Sequence, residues 1–180
     1  TMRLEHISAA NKLAEGDAHN ALVDVEATLE LARRLRADGS MWNYLVGYFD
    51  KFQDQSRIAK IPAQFSFANQ AFGLGIIVDG VFGSKRGYKR PALCLGQHKH
   101  YRNQSLWLLL DNEKLTETAP EKTFVTRKKW GEPPLILPPE ERFLNSLGDD
   151  HRKLAESNLK WLEQHPQELL ALQKYQQNYT

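Results

Sequence analysis

The chain has 180 residues, a net charge of +2, 41% hydrophobic content and a single cysteine. That length allows one compact domain, or one small domain with an appendage. No apolar run reaches membrane-spanning length, no signal-peptide pattern opens the chain, and one cysteine excludes an internal disulfide and a cysteine-based zinc site.

Three zones follow in chain order. The first, to about Ile61, reads as helical. Thr1 stands before Met2, so the chain opens either with an added residue or inside a longer protein. "SAANKLAEG" suits a short helix with Ser8 as N-cap and Gly16 just past its end. Asp17 can cap the next helix, whose apolar stripe is Ala18, Leu22, Val25, Leu29, Ala32 and Leu35. That stripe predicts the buried face, leaving Asp24 on the side of a cleft. "DGS" at Asp38 to Ser40 ends this helix. A further one carries Trp42, Leu45, Val46, Phe49 and Phe52 on one face and fades near Lys60, ahead of Pro62.

The second zone, about Phe65 to Pro138, changes character. "GLGIIVDGVFG", "PALCLGQHK", "SLWLLLD" and "KTFVTRK" are short apolar or alternating runs separated by turn-like segments. They predict a small antiparallel sheet or barrel. The third zone returns to helix in "PPEERFLNSLG" and "DDHRKLAESNLKWLEQHP", and Pro166 suits the first turn of a last helix.

Charge is unevenly spread. From Gly80 to Leu110 there is no Asp or Glu, while Lys85, Arg86, Lys89, Arg90, Lys99 and Arg102 fall in that window; Arg127 to Lys129 add a second basic cluster. Such a distribution suits a polyanion, and it equally suits a solvated basic surface balanced by acids elsewhere. Tyr88, in the basic loop, is a candidate base-stacking residue; Trp107 reads as core, and Trp130 fits either role. His98 and His100 flank Lys99 and could share a strand face, yet no third metal ligand accompanies them and an exposed basic turn is the expectation. Cys94 reads as a buried hydrophobe.

His19 and Asp24 raise a sharper possibility. Phosphodiester hydrolysis uses carboxylates to hold divalent cations and a base to activate water. An imidazole titrates near neutrality and can serve as that base. Residues five apart on an ideal helix diverge by about 140°, so both address one cleft only if His19 lies at or before the first turn. The bare pattern also fits a solvated helix carboxylate beside an unrelated histidine.

The surrounding residues carry a resemblance. "RLEHISAANKL" followed by "DAHNALVDVEATLELARRL" resembles the end of the nuclease domain of the bacterial exonuclease I family, in the His-containing branch of the DEDD superfamily. Its pattern is RLEHL-x2-AN, then AHDA-x2-DV-x-AT. Arg3, Leu4, Glu5, His6, Ala10, Asn11, Ala18, His19, Ala21, Asp24, Val25, Ala27 and Thr28 match it. "MWNYL" and "RIAKI" are similar to that family's linker helix, "VDGVFGSKRGY" to the first strands of its SH3-like domain, and "SNLKWLEQHPQ" to a helix at that domain's end.

The resemblance implies an α+β chain. Residues 1–38 would be the helical end of an RNase H-like exonuclease domain. Residues 39–180 would hold a linker helix, a small antiparallel SH3-like β domain and flanking helices. It implies removal of nucleotides 3′ to 5′ from single-stranded DNA with Mg²⁺, in the cytoplasm, with single-strand binding protein as a possible partner and no membrane. His19 matches the general base and Asp24 the last metal-binding carboxylate. The resemblance places Tyr44 where the family's groove passes and makes Lys85 and Arg86 further candidate nucleic-acid contacts, Arg86 with Gly83 and Gly87 matching best; Tyr88 joins them from its place in the basic loop. The family's other metal carboxylates have no counterpart here, Glu5 and Glu15 standing in the wrong context, so the chain alone is expected to be inactive. A binding module without catalysis, for nucleic acid or protein, and a domain with no ligand are the alternatives.

Overall fold

The computed structural model describes residues 3–16 and 20–179. It divides into two compact units, residues 1–47 and 48–180.

The first unit is helical: α1 (Leu4–Asn11), α2 (Ala21–Ala37) and α3 (Gly39–Val46). α1 begins earlier than the sequence suggests, so Ser8 lies inside it. The chain leaves it at Lys12 in a left-handed conformation, φ 50°, and the Lys12 N–H donates to the Ser8 carbonyl. The cap of α2 is Asn20, whose side-chain oxygen accepts the Leu22 N–H at 3.0 Å. The expected cap, Asp17, and the first stripe residue, Ala18, lie outside the described residues. Arg34 fastens α2 to the end of α1 by donating to the Asn11 carbonyl at 2.6 Å while pairing with Glu30 at 2.9 Å. Asp38 caps α3, accepting the Met41 N–H at 3.0 Å and the Ser40 hydroxyl at 2.9 Å.

The expected burial of the α2 stripe is corrected. Leu22, Val25, Leu29 and Leu35 are each more than half exposed, at 51–66%. The face turned toward α1 carries Val23, Asp24 and Ala27, of which Ala27 is buried. Apolar spacing specifies a face that can be buried; a neighbour must still cover it, and no described residue covers this one.

The second unit opens with a 3-10 turn and α4 (Lys51–Ala59), capped by Asp50. The single helix expected from Trp42 to Lys60 is therefore two, parted at Gly47–Phe49. An antiparallel sheet follows: β1 (Ala63–Phe67), β2 (Gln70–Val78), β3 (Lys89–Gln97), β4 (Gln104–Leu109), β5 (Val125–Lys129) and β6 (Leu135–Leu137). The order is β1-β2-β3-β4-β5, and β6 also pairs with β2. α5 (Glu141–Leu144), α6 (Asp149–Gln164) and α7 (Pro166–Asn178) close the chain, the last starting at its proline as expected.

All six residues of β4 are buried, which places it at the centre of the core. Strand alternation sends Leu106 and Leu108 to one face, with Leu110 following, and Trp107 and Leu109 to the other. The first three pack with Leu93, Leu95 and the helical residues Ala155, Leu162, Leu169 and Leu172. The second set packs with Ile77, Ala92 and Ile136, backed by Ile58 of α4. Asn158 of α6 donates to the carbonyls of Leu110 and Asn112 at 2.7 and 2.8 Å, pairing two acceptors just past the end of β4 against that helix. At the other end of the sheet, Lys128 and Asp54 form a fully buried pair at 2.5 Å, and Asp54 also accepts the Gly131 N–H at 2.8 Å. Burial lowers the Lys128 pKa, and the Asp54 carboxylate opposes that shift.

Candidate functional site

Asp24 lies in the first turn of α2, and its backbone carbonyl accepts the Thr28 hydroxyl at 2.7 Å. With Glu5, Ser8 and Gly16 it lines a small cavity of about 160 Å³ between α1 and α2. Gly16 sits at φ +129° with Val23 so close that a Cβ would approach its Cγ2 to 2.8 Å, so the chain can reach this helix start only without a side chain there. Among the described residues nothing pairs with the Asp24 carboxylate. Glu5 contacts Arg3 at 3.4 Å and His6 at 3.6 Å. His19 lies outside the described residues.

Among the described residues no group of three or more His, Cys, Asp or Glu side chains is arranged to hold a metal ion. Asp24 and Glu5 share a cavity wall, but two carboxylates with no further ligand among the described residues do not make a closed cation site. Tyr44 is half-buried in α3, in the same unit as Asp24.

Lys85, Arg86 and Tyr88 come together in the second unit, in the turn between β2 and β3. Two 3-10 turns, Gly80–Phe82 and Ser84–Arg86, build it. Asp79 starts the first, its carboxylate accepting the Val81 N–H at 3.0 Å. The turn closes where the Asp79 N–H donates to the Tyr88 carbonyl at 2.9 Å and the Tyr88 N–H to the Gly83 carbonyl at 3.0 Å. Tyr88 occupies a left-handed conformation, φ 61°. Lys85 is exposed; Arg86 and Tyr88 are half-buried.

Arg86 is held from below by a residue the sequence analysis did not single out. The Asp111 carboxylate is completely buried and accepts from Arg86 Nη1 at 3.0 Å and from Arg90 Nε at 2.6 Å; His151 Nδ1 lies 3.0 Å from it. Burial lowers the Arg90 pKa and Asp111 opposes that shift. One carboxylate thus orders two guanidinium groups and an imidazole, supplied by the β2–β3 turn, β3 and α6. The Arg86 side chain, 37% exposed, remains open to solvent on a cavity of about 740 Å³ that Lys114, Phe124 and His151 also line. A guanidinium fixed in this way loses less freedom on binding a further group than a mobile one does. The available signal was position: Asp111 is the first acid after the acid-free window and ends the apolar run "SLWLLLD".

His98 is not in an exposed turn. It is 1% exposed, its Nε2 lies 2.9 Å from the Tyr179 carbonyl, and its Nδ1 accepts the N–H groups of His100 and Tyr101 at 3.1 and 3.2 Å. Both ring nitrogens are occupied by backbone, which leaves neither for a metal. Trp107 is buried core, as expected. Cys94 is partly buried, and burial raises its thiol pKa.

No sequence family and no curated protein matches the chain. Solved structures do, and the fold they define is that of exonuclease I. E. coli exonuclease I in complex with a dT13 oligonucleotide is 22% identical over 97% of this chain, with a TM-score of 0.72. The zinc-bound form of the E. coli exonuclease I–single-stranded DNA complex gives 23%, 96% and 0.68. A complex of SSB and exonuclease I with the inhibitor CFAM gives 22%, 96% and 0.68. The chain therefore has an exonuclease I-like fold, and it spans 39–40% of the length of these three chains.

Proposed function

We propose that this chain is part of an exonuclease I-like enzyme that removes nucleotides 3′ to 5′ from single-stranded DNA. The observation that carries the reading is the fold likeness, which covers nearly the whole chain and includes structures holding oligonucleotides. In this reading residues 1–38 end the nuclease domain, and residues 39–180 supply the linker helix, the SH3-like domain and the helices after it. His19 would take the proton of an attacking water, and Asp24 would supply one carboxylate toward a Mg²⁺ ion whose remaining ligands are not among the described residues. Tyr44, Lys85, Arg86 and Tyr88 contact the strand, single-strand binding protein is a partner, and the cytoplasm is the setting. The exposed α2 face of Leu22, Val25, Leu29 and Leu35 supports the reading, because a helix that packs on the remainder of a nuclease domain needs such a face.

One carboxylate cannot hold two cations, so these 180 residues alone bind DNA without degrading it. Incubating the chain with end-labelled single-stranded DNA and Mg²⁺ tests this, with retention and release of nucleotide measured separately. Retention without release is expected. Release would show that the chain assembles a complete site, and absence of both would remove the nuclease reading in favour of a domain without this ligand. Replacing Lys85 and Arg86 by Gln should also flatten the salt dependence of binding by about 1.4 in the log–log slope, at ~0.7 per lost single-strand phosphate contact.

A further inference from the structure

A second surface in the 48–180 unit has the composition of a nucleic-acid platform. It gathers three segments: 97–103 between β3 and β4, 125–131 around β5, and 173–179 at the end of α7. None of the three contains an Asp or Glu. Their exposed side chains include Lys99, Arg102 and Arg127, and the rings of Tyr101, Tyr175 and Tyr179, which are 45%, 36% and 54% exposed. Among the described residues none of the three cations is in an ion pair.

The surface is built, and buried His98 is its keystone. His98 lies 2.9 Å from the Tyr179 carbonyl on one side and accepts the turn N–H groups of His100 and Tyr101 on the other. Arg127 Nη2 donates to the same Tyr179 carbonyl at 3.0 Å, with its guanidinium 5.9 Å from the Tyr179 ring. Tyr175 and Tyr179 stack at 5.6 Å between ring centroids, 27° apart. A bulge in β3 at Gly96 frees the Leu95 carbonyl, which accepts from Gln173 and Gln177 at 2.9 and 3.0 Å and so seats the end of α7 on the sheet. The Lys99 N–H donates to the Gln177 carbonyl at 3.1 Å. Three exposed rings are thus fixed beside cations that, among the described residues, have no carboxylate partner. Exposed tyrosines interleaved with unpaired cations are what a single strand recognises, because any base offers a face to stack and every nucleotide carries a phosphate.

We propose that this surface is a stacking platform for single-stranded nucleic acid, with Tyr101, Tyr175 and Tyr179 receiving bases and Lys99, Arg102 and Arg127 receiving phosphates. It rests on the nucleic-acid reading above and adds a contact region distinct from the Arg86 turn. The two lie at opposite ends of β3, about 26 Å apart at ~3.3 Å per residue.

The test uses the 180-residue chain and a 5′-fluorescein dT15 oligonucleotide, read by anisotropy at low salt. Tyr175→Ser with Tyr179→Ser should weaken binding by about tenfold, the scale of losing base–aromatic stacking. Lys99→Gln with Arg102→Gln, two exposed positions outside the core, should flatten the salt slope by about 1.4. Irradiating the chain with an oligonucleotide carrying 5-iodouracil should crosslink Tyr101, Tyr175 or Tyr179, a readout that needs no variant. If the unaltered chain binds dT15 while both variants bind within twofold of it and crosslinks fall elsewhere, the platform is wrong and the nucleic-acid reading stands. If the unaltered chain does not bind dT15, both fall.

Discussion

Arg86 and Asp38 show how much of a residue's role depends on one partner. The sequence marks Arg86 as a basic residue in a glycine-bounded turn, but its position is set by Asp111, which is 25 residues away and fully buried. Asp38 is the simpler case, since its partners, Ser40 and Met41, are adjacent in sequence and a cap can be read locally. The Met41 N–H and the Ser40 hydroxyl both stabilise the ionised carboxylate, and they hold its pKa below the ordinary aspartate value. A folded-state pKa below the unfolded one means that this stabilisation is complete above the unfolded value and is lost as pH falls through the folded value. A pH titration followed by NMR at the Met41 amide should therefore turn over below the midpoint of a free aspartate. A midpoint at or above it would remove Asp38 as the α3 cap.

At the scale of elements, alternating and apolar runs gave away the four longer or better-bounded strands, while β1 and β6 escaped notice. β6 has only three residues, too few for alternation to register, and β1 lies ahead of "GLGIIVDGVFG", the first apolar run of the zone. Helix ends were less legible because several residues could serve as caps: Ser8 lies inside α1, and Asn20 caps α2. The packing between strands was not legible at all. Gly75 of β2 lies so near Trp107 of β4 that a Cβ would come within 2.7 Å of Cζ3 and 3.0 Å of Ile136 Cγ2. The indole occupies the space that a side chain would fill. Gly75→Ala should cost about 1–3 kcal/mol by overpacking, measured by urea unfolding with tryptophan fluorescence. A change under about 0.5 kcal/mol would mean that Trp107 can move aside and that the glycine is not needed for this contact.

For the whole molecule, the two units differ in how much they bury. Leu13 and Ala27 are the buried hydrophobic residues among the described part of residues 1–47, whereas the 48–180 unit has apolar clusters on both faces of its sheet. A unit with so little buried apolar surface opens easily. Hydrogen exchange should find the amides of β4 protected to near the global limit and those of α1 and α2 exchanging at least roughly a hundredfold faster. Equal protection in both units would show that the exposed α2 face is covered in solution, for instance by association of chains.

The sequence by itself determined the helix–sheet–helix order, the basic window, the core position of Trp107, and the motif around Asp24 that carries the exonuclease I resemblance. These are local matters, written in periodicity, turn residues and spacing. The tertiary structure alone decided that Asp111 and His151 anchor Arg86, that His98 joins the end of α7 to the β3–β4 turn, and that the α2 stripe lies open. Each depends on groups tens of residues apart meeting, or failing to meet, across a fold. Periodicity names the face of an element; only packing supplies what that face touches.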